Sequence, residues 1–497
     1  MVDRSARRAE RLRDRRIQEA EAPAPSSNPV RPQLTLMSSD QIQVIHEGAL
    51  RILNEVGLRV DSPRAREVYA KGGANIRVED KRVFMDRDVI EWAIKVSPPT
   101  YDVYNRRGEH KFTLGADNRT RFGSGVTNLY FQDPMDDHLE DFHRKHMEIG
   151  VRLVDALPQY DVCSTLGVIR DYGPKVADMY AVLEMVANTT KPLVLLISDE
   201  KLFPRVLDLM ETIHGEVGDK PFIIPYLNPV TPLVVNDGTS DKLLDGIEHG
   251  IASIYSNYGM AGMSTPITPG GALAMLVAEL LGGLVLSQLA KQGAPIILGS
   301  LPAYFEMRTM VDFYDPQTFL INLGCAQMMA HYKVPHAGTS GSGEGWGPDL
   351  LAAGNLWMNQ LTSVIGHAGL VPFVGSSLNS KAYSPALTVY ANDIIGQVRL
   401  FADGYEVDDA SVGVDELIEA MAVDGHFLTA PTTMARYTNA YWNGIFPRIG
   451  LEKWVELGHP SSTQILRDRT KELIEASKAP DDHDEIIVKG EVFIEAM

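Results

Sequence analysis

Cysteine is nearly absent: the 497 residues include two, Cys163 and Cys325, far apart in the chain. Two such residues build neither a disulfide framework nor a cysteine-based metal site, and they fit a reducing compartment, so a cytoplasmic setting is expected. Long apolar runs are missing as well. The nearest, Ala272–Leu289, is broken by Glu279 and by Gly282-Gly283 and falls short of the roughly 18 uninterrupted apolar residues of a membrane span. No apolar signal-peptide core opens the chain, so neither a membrane role nor secretion is expected. Positive charge is in deficit, 46 Lys and Arg against 65 Asp and Glu, for a formal net charge of −19. An acidic chain repels phosphate backbones, which excludes nucleic acid as a partner. Walker loops and Gly-x-Ser-x-Gly elbows are absent too, so nothing indicates a nucleotide cofactor or a serine hydrolase.

What is there is a globular, enzyme-like composition, 44% hydrophobic and 22% charged, long enough for one large core. Residues 1–35 read as a basic arm and linker: seven arginines between Arg4 and Arg16 precede Ala-Pro-Ala-Pro-Ser-Ser-Asn-Pro, which cannot hold a helix. Residues 36–155 read as a helical and β extension. It opens where Ser38 caps an apolar run at helical spacing and includes a glycine-rich, β-prone stretch over Asp102–Asp133. Residues 156–400 alternate short apolar strand candidates with helical runs. The strand candidates are Asp161–Leu166, Pro192–Ile197, Phe222–Leu227, Tyr258–Met263, Pro295–Leu298, Val334–Ala337 and Val371–Gly375. That alternation predicts an α/β fold, a closed (β/α)8 TIM barrel with the N-terminal extension and, over 401–497, C-terminal helices that serve as an outer subdomain or oligomer contact.

In such a barrel, function sits on the loops after the strands. The most informative is His336-Ala-Gly-Thr-Ser-Gly-Ser-Gly-Glu-Gly-Trp-Gly-Pro-Asp349, whose alternate glycines let backbone approach a ligand closely and whose intervening residues offer hydroxyls, a carboxylate and an indole. Tyr255, Tyr258, Tyr304 and Phe305 add aromatic faces near other strand ends. Aromatic faces around a carboxylate suit an ammonium cation. Glu279 lies in an apolar helix and is either hydrogen-bonded to structure or a functional carboxylate. His138, His143 and His146 cluster on a charged segment that reads as a solvated helix start, so no metal site is expected. His336 is either a satisfied structural histidine or a group facing the mouth.

Several stretches together resemble the trimethylamine methyltransferase family of corrinoid-dependent methyltransferases. They are Ile42–Pro63, Tyr104-Asn-Arg-Arg-Gly-Glu109, Asn188-Thr-Thr-Lys-Pro192, Ala278–Leu289 and Asn392-Asp-Ile-Ile395. The resemblance implies a barrel that moves a methyl group from a methylated amine to the cobalt of a separate small corrinoid protein. Cob(I)alamin is then supplied by that partner, with no cofactor held permanently. The family's pyrrolysine position, anchored on Val334-Pro335 and Pro348-Asp349, falls on Ser342. The chain therefore resembles the non-pyrrolysine branch, which acts on quaternary amines such as glycine betaine. Glu344 and Trp346 stand where the family has Asp and Lys.

The expected catalytic set is Ser342, Glu344 and Glu306. Trp346, Tyr255 and Tyr258 are expected to cage the cation, with Glu344 or Glu306 balancing its charge. Tyr304, Phe305, Glu279 and Asp349 join the substrate-binding set, with His336, Asn228, Ser342 and loop amides as donors to a substrate carboxylate. A quaternary nitrogen already has a neutral leaving group, so orientation toward a strong external nucleophile does most of the work. The expected activity is methyl transfer from a small quaternary amine to a partner's corrinoid by a homo-oligomeric enzyme. The alternative is a non-catalytic quaternary-amine-binding or sensor protein on the same barrel. An unrelated lyase or hydrolase ranks last, because no nucleophile–base pair is identifiable.

Overall fold

The structure, a computed structural model, describes residues 29–117, 119–339, 343–423 and 425–497. Eight short strands close on themselves: β1 (Arg121–Ser124), β2 (Val162–Ser164), β3 (Leu193–Leu195), β4 (Ile223–Leu227), β5 (Ser253–Ala261), β6 (Ile296–Glu306), β7 (His336–Ala337) and β8 (Leu370–Val374). Each pairs in parallel with the next, and β8 pairs in parallel with β1. A helix follows every strand: α1 (Arg144–Ala156), α2 (Pro174–Asn188), α3 (Phe203–His214), α4 (Asp237–Glu248), α5 (Pro269–Ala290), α6 (Pro316–Tyr332), α7 (Leu350–Ile365) and α8 (Pro385–Asp403). This is the (β/α)8 barrel that the alternation predicts.

The barrel begins earlier than the expected boundary at residue 156. Its first strand lies inside the β-prone stretch assigned to the extension, where Gly123 has the look of a turn residue. Here it is needed within a strand, because a Cβ on it would come within 2.6 Å of Val162 and 2.9 Å of the Pro372 carbonyl. The tyrosine-bearing strand is also longer than expected, starting at Ser253 instead of Tyr258.

One end of the barrel is stoppered. The hairpin Tyr101–Tyr104/His110–Leu114 places Tyr101, Val103, Phe112 and Leu114 in one apolar cluster with the barrel residues Val162, Val194, Ile254, Ile297 and Leu370. The Tyr101 hydroxyl accepts from the amide of Ala252, just ahead of β5, at 3.2 Å. The carboxyl ends of the strands are thereby left as the open face.

Helix α5 is long and apolar enough to cross a membrane, but most of it is buried. The helices Ser39–Arg51, Pro63–Ala70 and Arg87–Val96 pack on it from outside while β5 and β6 pack from inside, so no side of it needs a polar face. Ser38 caps the first of these helices through a capping box with Gln41, as its sequence predicts.

The chain divides into two units, one made of the segment up to Gln33 with Gly396–Gly444, the other of Leu34–Ile395 with Ile445–Met497. In the smaller, Val30 bridges Tyr405 and Trp442 packs against Gly396. The expected C-terminal region 401–497 is thus not one body. Its last two helices, Ser462–Ala476 and His483–Glu495, pack on α1 and α2 of the larger unit. Arg106 holds Asp482 there through two bonds of 2.6 and 2.8 Å. The basic arm lies, as far as residue 28, outside the described residues.

Candidate active site

Three adjoining hollows open at the carboxyl ends of the strands. The innermost, about 210 Å³, is lined by Tyr258 of β5, Leu301 of β6, Phe373 of β8, Val126 after β1 and Thr339 after β7. Asp312 and Tyr314 close it from a return strand, Val311–Phe313 and its continuation, which doubles back on the end of β6. Asn379 and Ser380 complete the wall. The Tyr258 hydroxyl donates to Asp312 at 2.5 Å. Burial, first of all, raises the Tyr258 phenol far above its ordinary range and pushes Tyr314 up to about 12. Both phenols are neutral at physiological pH, and the hollow combines aromatic side chains with one acidic one.

A polar side lobe of about 380 Å³ shares Val126, Leu301 and Phe373 with this cavity and carries Tyr226, Asn228, Lys242, Thr127 and Ser198. Tyr226 and Phe373 meet edge to face, with ring centroids 4.8 Å apart. An outer groove of about 540 Å³ shares Asn379 with the inner cavity and is lined by Trp346, Glu344, Tyr130 and Leu351.

The predicted residues divide between these hollows and the structure behind them. Ser342 lies outside the described residues. Tyr258 lines the inner cavity. Tyr255 does not: three residues from Tyr258 on a strand, it must face the other way, and it packs fully buried against Gly283 of α5. Trp346 is 72% exposed and lines the outer groove, away from any cage. Glu344 accepts from the Tyr314 amide at 3.1 Å, and burial raises its carboxyl above the ordinary range. Glu306 is exposed at a hairpin tip, accepting from Arg308 N, and lines none of these three hollows. Tyr304 donates to the Ile267 carbonyl at the rim, and Phe305 sits opposite Asp312 in the return hairpin.

Four further predicted residues are placed as follows. Asn228 lines the side lobe. Glu279 accepts three bonds from structure, from Thr231 Oγ1, Leu233 N and Asn257 Nδ2, so its carboxylate holds the β4–α4 loop and not a substrate. Asp349 caps α7 through Ala352 N and ties down the Trp346 amide. Ala337 faces the barrel interior, so His336 faces out. Its Nδ1 accepts from Gly369 N, and burial lowers its pKa to about 3. It is a neutral structural group.

Asp312, Tyr314, Tyr226, Phe373 and Lys242 escaped the sequence reading. Two had a shared signal: β4 and β8 each carry proline followed by an aromatic just before their last residue, Pro225-Tyr226 and Pro372-Phe373, with both aromatics in the inward cluster. The hairpin pair Asp312 and Tyr314 had none, since their approach depends on the return of a strand onto β6. Among the described residues no group of histidine, cysteine and acidic side chains could hold a metal ion.

A family model described as trimethylamine methyltransferase matches residues 4–494. A protein of Desulfitobacterium hafniense named trimethylamine methyltransferase MttB is 24% identical over 88% of this chain and 89% of its own length. A glycine betaine methyltransferase from another strain of that species is 24% identical over 83% of this chain and 86% of its own. Among solved structures, the Methanosarcina barkeri monomethylamine methyltransferase aligns over 88% of this chain and 93% of its own, with 11% identity and a TM-score of 0.45.

Proposed function

The chain belongs to the trimethylamine methyltransferase family and is a methyltransferase, and from that premise we propose that it takes a methyl group from a small quaternary amine and passes it to a corrinoid carried by a partner protein. The observation that carries this reading is the inner cavity. Tyr258, Tyr314 and Phe373 line a space of about 210 Å³ with Asp312 in its wall. A trimethylammonium group has no N–H to donate, so it is held by aromatic faces and a nearby negative charge, each face contributing on the order of 0.5–2 kcal/mol. Its departure as a neutral amine calls for no proton donor.

The rim of the mouth supports a macromolecular partner. Met263, Ile267, Met307, Met310 and Trp346 stand exposed on the loops that follow β5, β6 and β7, and Leu350 and Leu351 stand exposed on the first turn of α7. A ring of exposed apolar side chains around a narrow opening fits a protein that presents a broad flat group to the hole. Reduced corrinoid cobalt supplies the nucleophile when that partner is docked. This chain's residues bind the cation, orient one N-methyl toward the opening and exclude water, and such orientation is worth several kcal/mol of barrier. A cytoplasmic setting goes with two unpaired, buried cysteines.

The test mixes the purified protein with cob(I)alamin and follows methylcobalamin by absorbance, with quaternary and tertiary amines compared. Methylation from a quaternary amine, reduced about tenfold or more in kcat/KM by Phe373→Leu and by Asp312→Asn, is the expected result. Faster methylation from trimethylamine than from any quaternary amine overturns it. So does amine binding with no transfer even when a matched corrinoid protein is added, which leaves a sensor.

A further inference from the structure

The outer groove has two walls, and neither is held in place by its own sequence. One wall is the hairpin of Tyr130–Gln132 and Leu139–Asp141, which contributes Tyr130 and Leu139; the other is the loop ahead of α7, which contributes Glu344, Gly345 and Trp346. Gly345 and Gly347 leave that loop's backbone free to turn. The hairpin stands on a turn, residues 133–138, that carries three acids, Asp133, Asp136 and Asp137.

The walls meet at their base. Gln132 Nε2 donates to the Trp346 carbonyl at 2.7 Å, and Ser377 Oγ donates to the other end of the same side chain at 2.9 Å. Beside it Asp137, in left-handed backbone at φ 65°, lies so close to the loop that a Cβ on Gly347 would stand 3.1 Å from its Oδ1. That oxygen is buried and accepts no hydrogen bond among the described residues. Burial raises the Asp137 carboxyl above its ordinary range; Arg467 opposes the rise, and Asp136, Asp349 and Asp133 add to it. A carboxylate in such company needs a cation to hold it in place.

Arg467 supplies one from the far end of the sequence. Its Nη2 donates to Asp137 Oδ2 at 2.5 Å and its Nη1 to the Met135 carbonyl, so one guanidinium ties both the side chain and the backbone of the turn. It projects from the helix Ser462–Ala476, which packs on α1, and lines none of the three hollows. We infer that Arg467 is a positioning residue for the methyl acceptor: by fixing the turn against Gly347 it sets the separation of the groove's walls, and with it the approach of the corrinoid to the mouth. The inference rests on the proposed reading of the rim as the acceptor's docking face. The inner cavity is held separately, by the β5–β6 ladder and the return strand, so the amine is not affected.

Hydrogen exchange and kinetics on the full chain test this together. Arg467→Met is expected to speed exchange of the amides over 130–141 and 343–349 by about tenfold or more, with helices α2 to α6 unchanged. With cob(I)alamin as the varied acceptor and a saturating quaternary amine that the wild type demethylates, KM for cob(I)alamin should rise about tenfold, while kcat and the amine Kd from calorimetry move less than about threefold. Arg467→Lys, which keeps the charge but lacks the fork that reaches both acceptors, should fall between. Asp137→Asn keeps the turn, because asparagine tolerates left-handed backbone, and should raise the same KM several-fold; it decides the matter alone if Arg467→Met fails to fold. Unchanged exchange in both segments overturns the inference. Faster exchange with an unmoved acceptor KM overturns the role in turnover and leaves the reading of the inner cavity standing. An amine Kd that weakens as much as the acceptor KM rises also overturns it, since that marks a general loss of structure. Failure of the wild type to methylate cob(I)alamin from any amine, with or without a matched corrinoid protein, overturns the proposed function and this inference with it.

Discussion

Glu279 allows a prediction in which a single atom's chemistry decides the size of the effect. Its carboxylate is 2% exposed on α5. Oε1 accepts from Leu233 N at 2.6 Å, and Oε2 from Thr231 Oγ1 at 2.8 Å and Asn257 Nδ2 at 2.7 Å. Glu279→Gln keeps the volume and removes one acceptor. If the amide oxygen stays on Leu233 N, its NH2 meets the Asn257 NH2; if it turns, its NH2 meets a backbone N–H. Asn257 cannot flip in compensation, because its Nδ2 also donates to the Leu276 carbonyl and its Oδ1 accepts from Ser300. One buried donor is left unsatisfied either way, at about 1–3 kcal/mol. The Thr231 hydroxyl can rotate and accept, so the cost stops there. The expected loss is about 2 kcal/mol in urea unfolding, a far clearer signal than the matching Tm shift of only about 2 °C in a chain of this size. Asn257 directly precedes Tyr258, so affinity for the quaternary amine should fall with stability. A stability change under about 0.5 kcal/mol refutes the reasoning. It would mean that Glu279, raised by burial, is protonated and already matches an amide in donors and acceptors.

Trp346→Ala is expected to change amine affinity less than about threefold, because the ring lies in the outer groove and makes no cation–π contact with the inner cavity; calorimetry showing a tenfold loss would restore it to the cage. Acid should destabilise the protein through His336. Its folded pKa, about 3, lies below the unfolded value of about 6.5, so between these values the unfolded state binds the extra proton and stability falls as pH falls, by about 2 kcal/mol from this residue at pH 5. His336→Asn, which retains an acceptor for Gly369 N, should remove that share of the slope, and an unaltered difference between pH 7 and pH 5 would exclude it. Cys163 and Cys325 are fully buried, with thiols pushed up to about 12 and about 11. Ellman's reagent should label neither in the native protein and both in urea, and rapid native labelling would contradict their burial.

The barrel was legible where apolar strand runs alternate with long helical ones, because burial on both faces leaves a continuous signal. It was illegible at β1, where Arg121-Phe-Gly-Ser contributes one large apolar residue and a glycine demanded by the closeness of two neighbouring strands. The site was legible as a place and less so as a set of residues. Loops after the strands were the right region, and Tyr258, Asn228 and Glu344 do border the hollows. Tyr255 and His336 fail for one reason: adjacent to the right loops, they stand at outward positions of their strands. Strand parity could have separated Tyr255 from Tyr258. Asp312 could not have been found that way, since it is delivered by a hairpin that carries the chain back over the mouth.

That hairpin also explains why residues so ordinary make a specific site. The strands β5 and β6 run past the barrel as a paired ladder from Ser253 opposite Ile296 to Ala261 opposite Tyr304, and the return strand locks onto the end of β6 through Tyr304, Phe305 and Glu306. Tyr258 and Leu301 therefore sit opposite each other on extended, paired backbone and not on loops. Asp312 is fixed from both directions, by the Tyr258 hydroxyl and by Asn379, which donates to its carbonyl at 2.8 Å. A cavity built this way is preorganised, and its aromatic side chains need no ordering when a ligand arrives. Within the proposed function this rigidity has a chemical use. Where the reacting nucleophile comes from outside, the enzyme's contribution is to hold one methyl in line with it, and a wall that yields by an ångström forfeits much of that contribution. Two strands carried beyond the barrel rim are what this fold adds to a common scaffold to keep that wall in place.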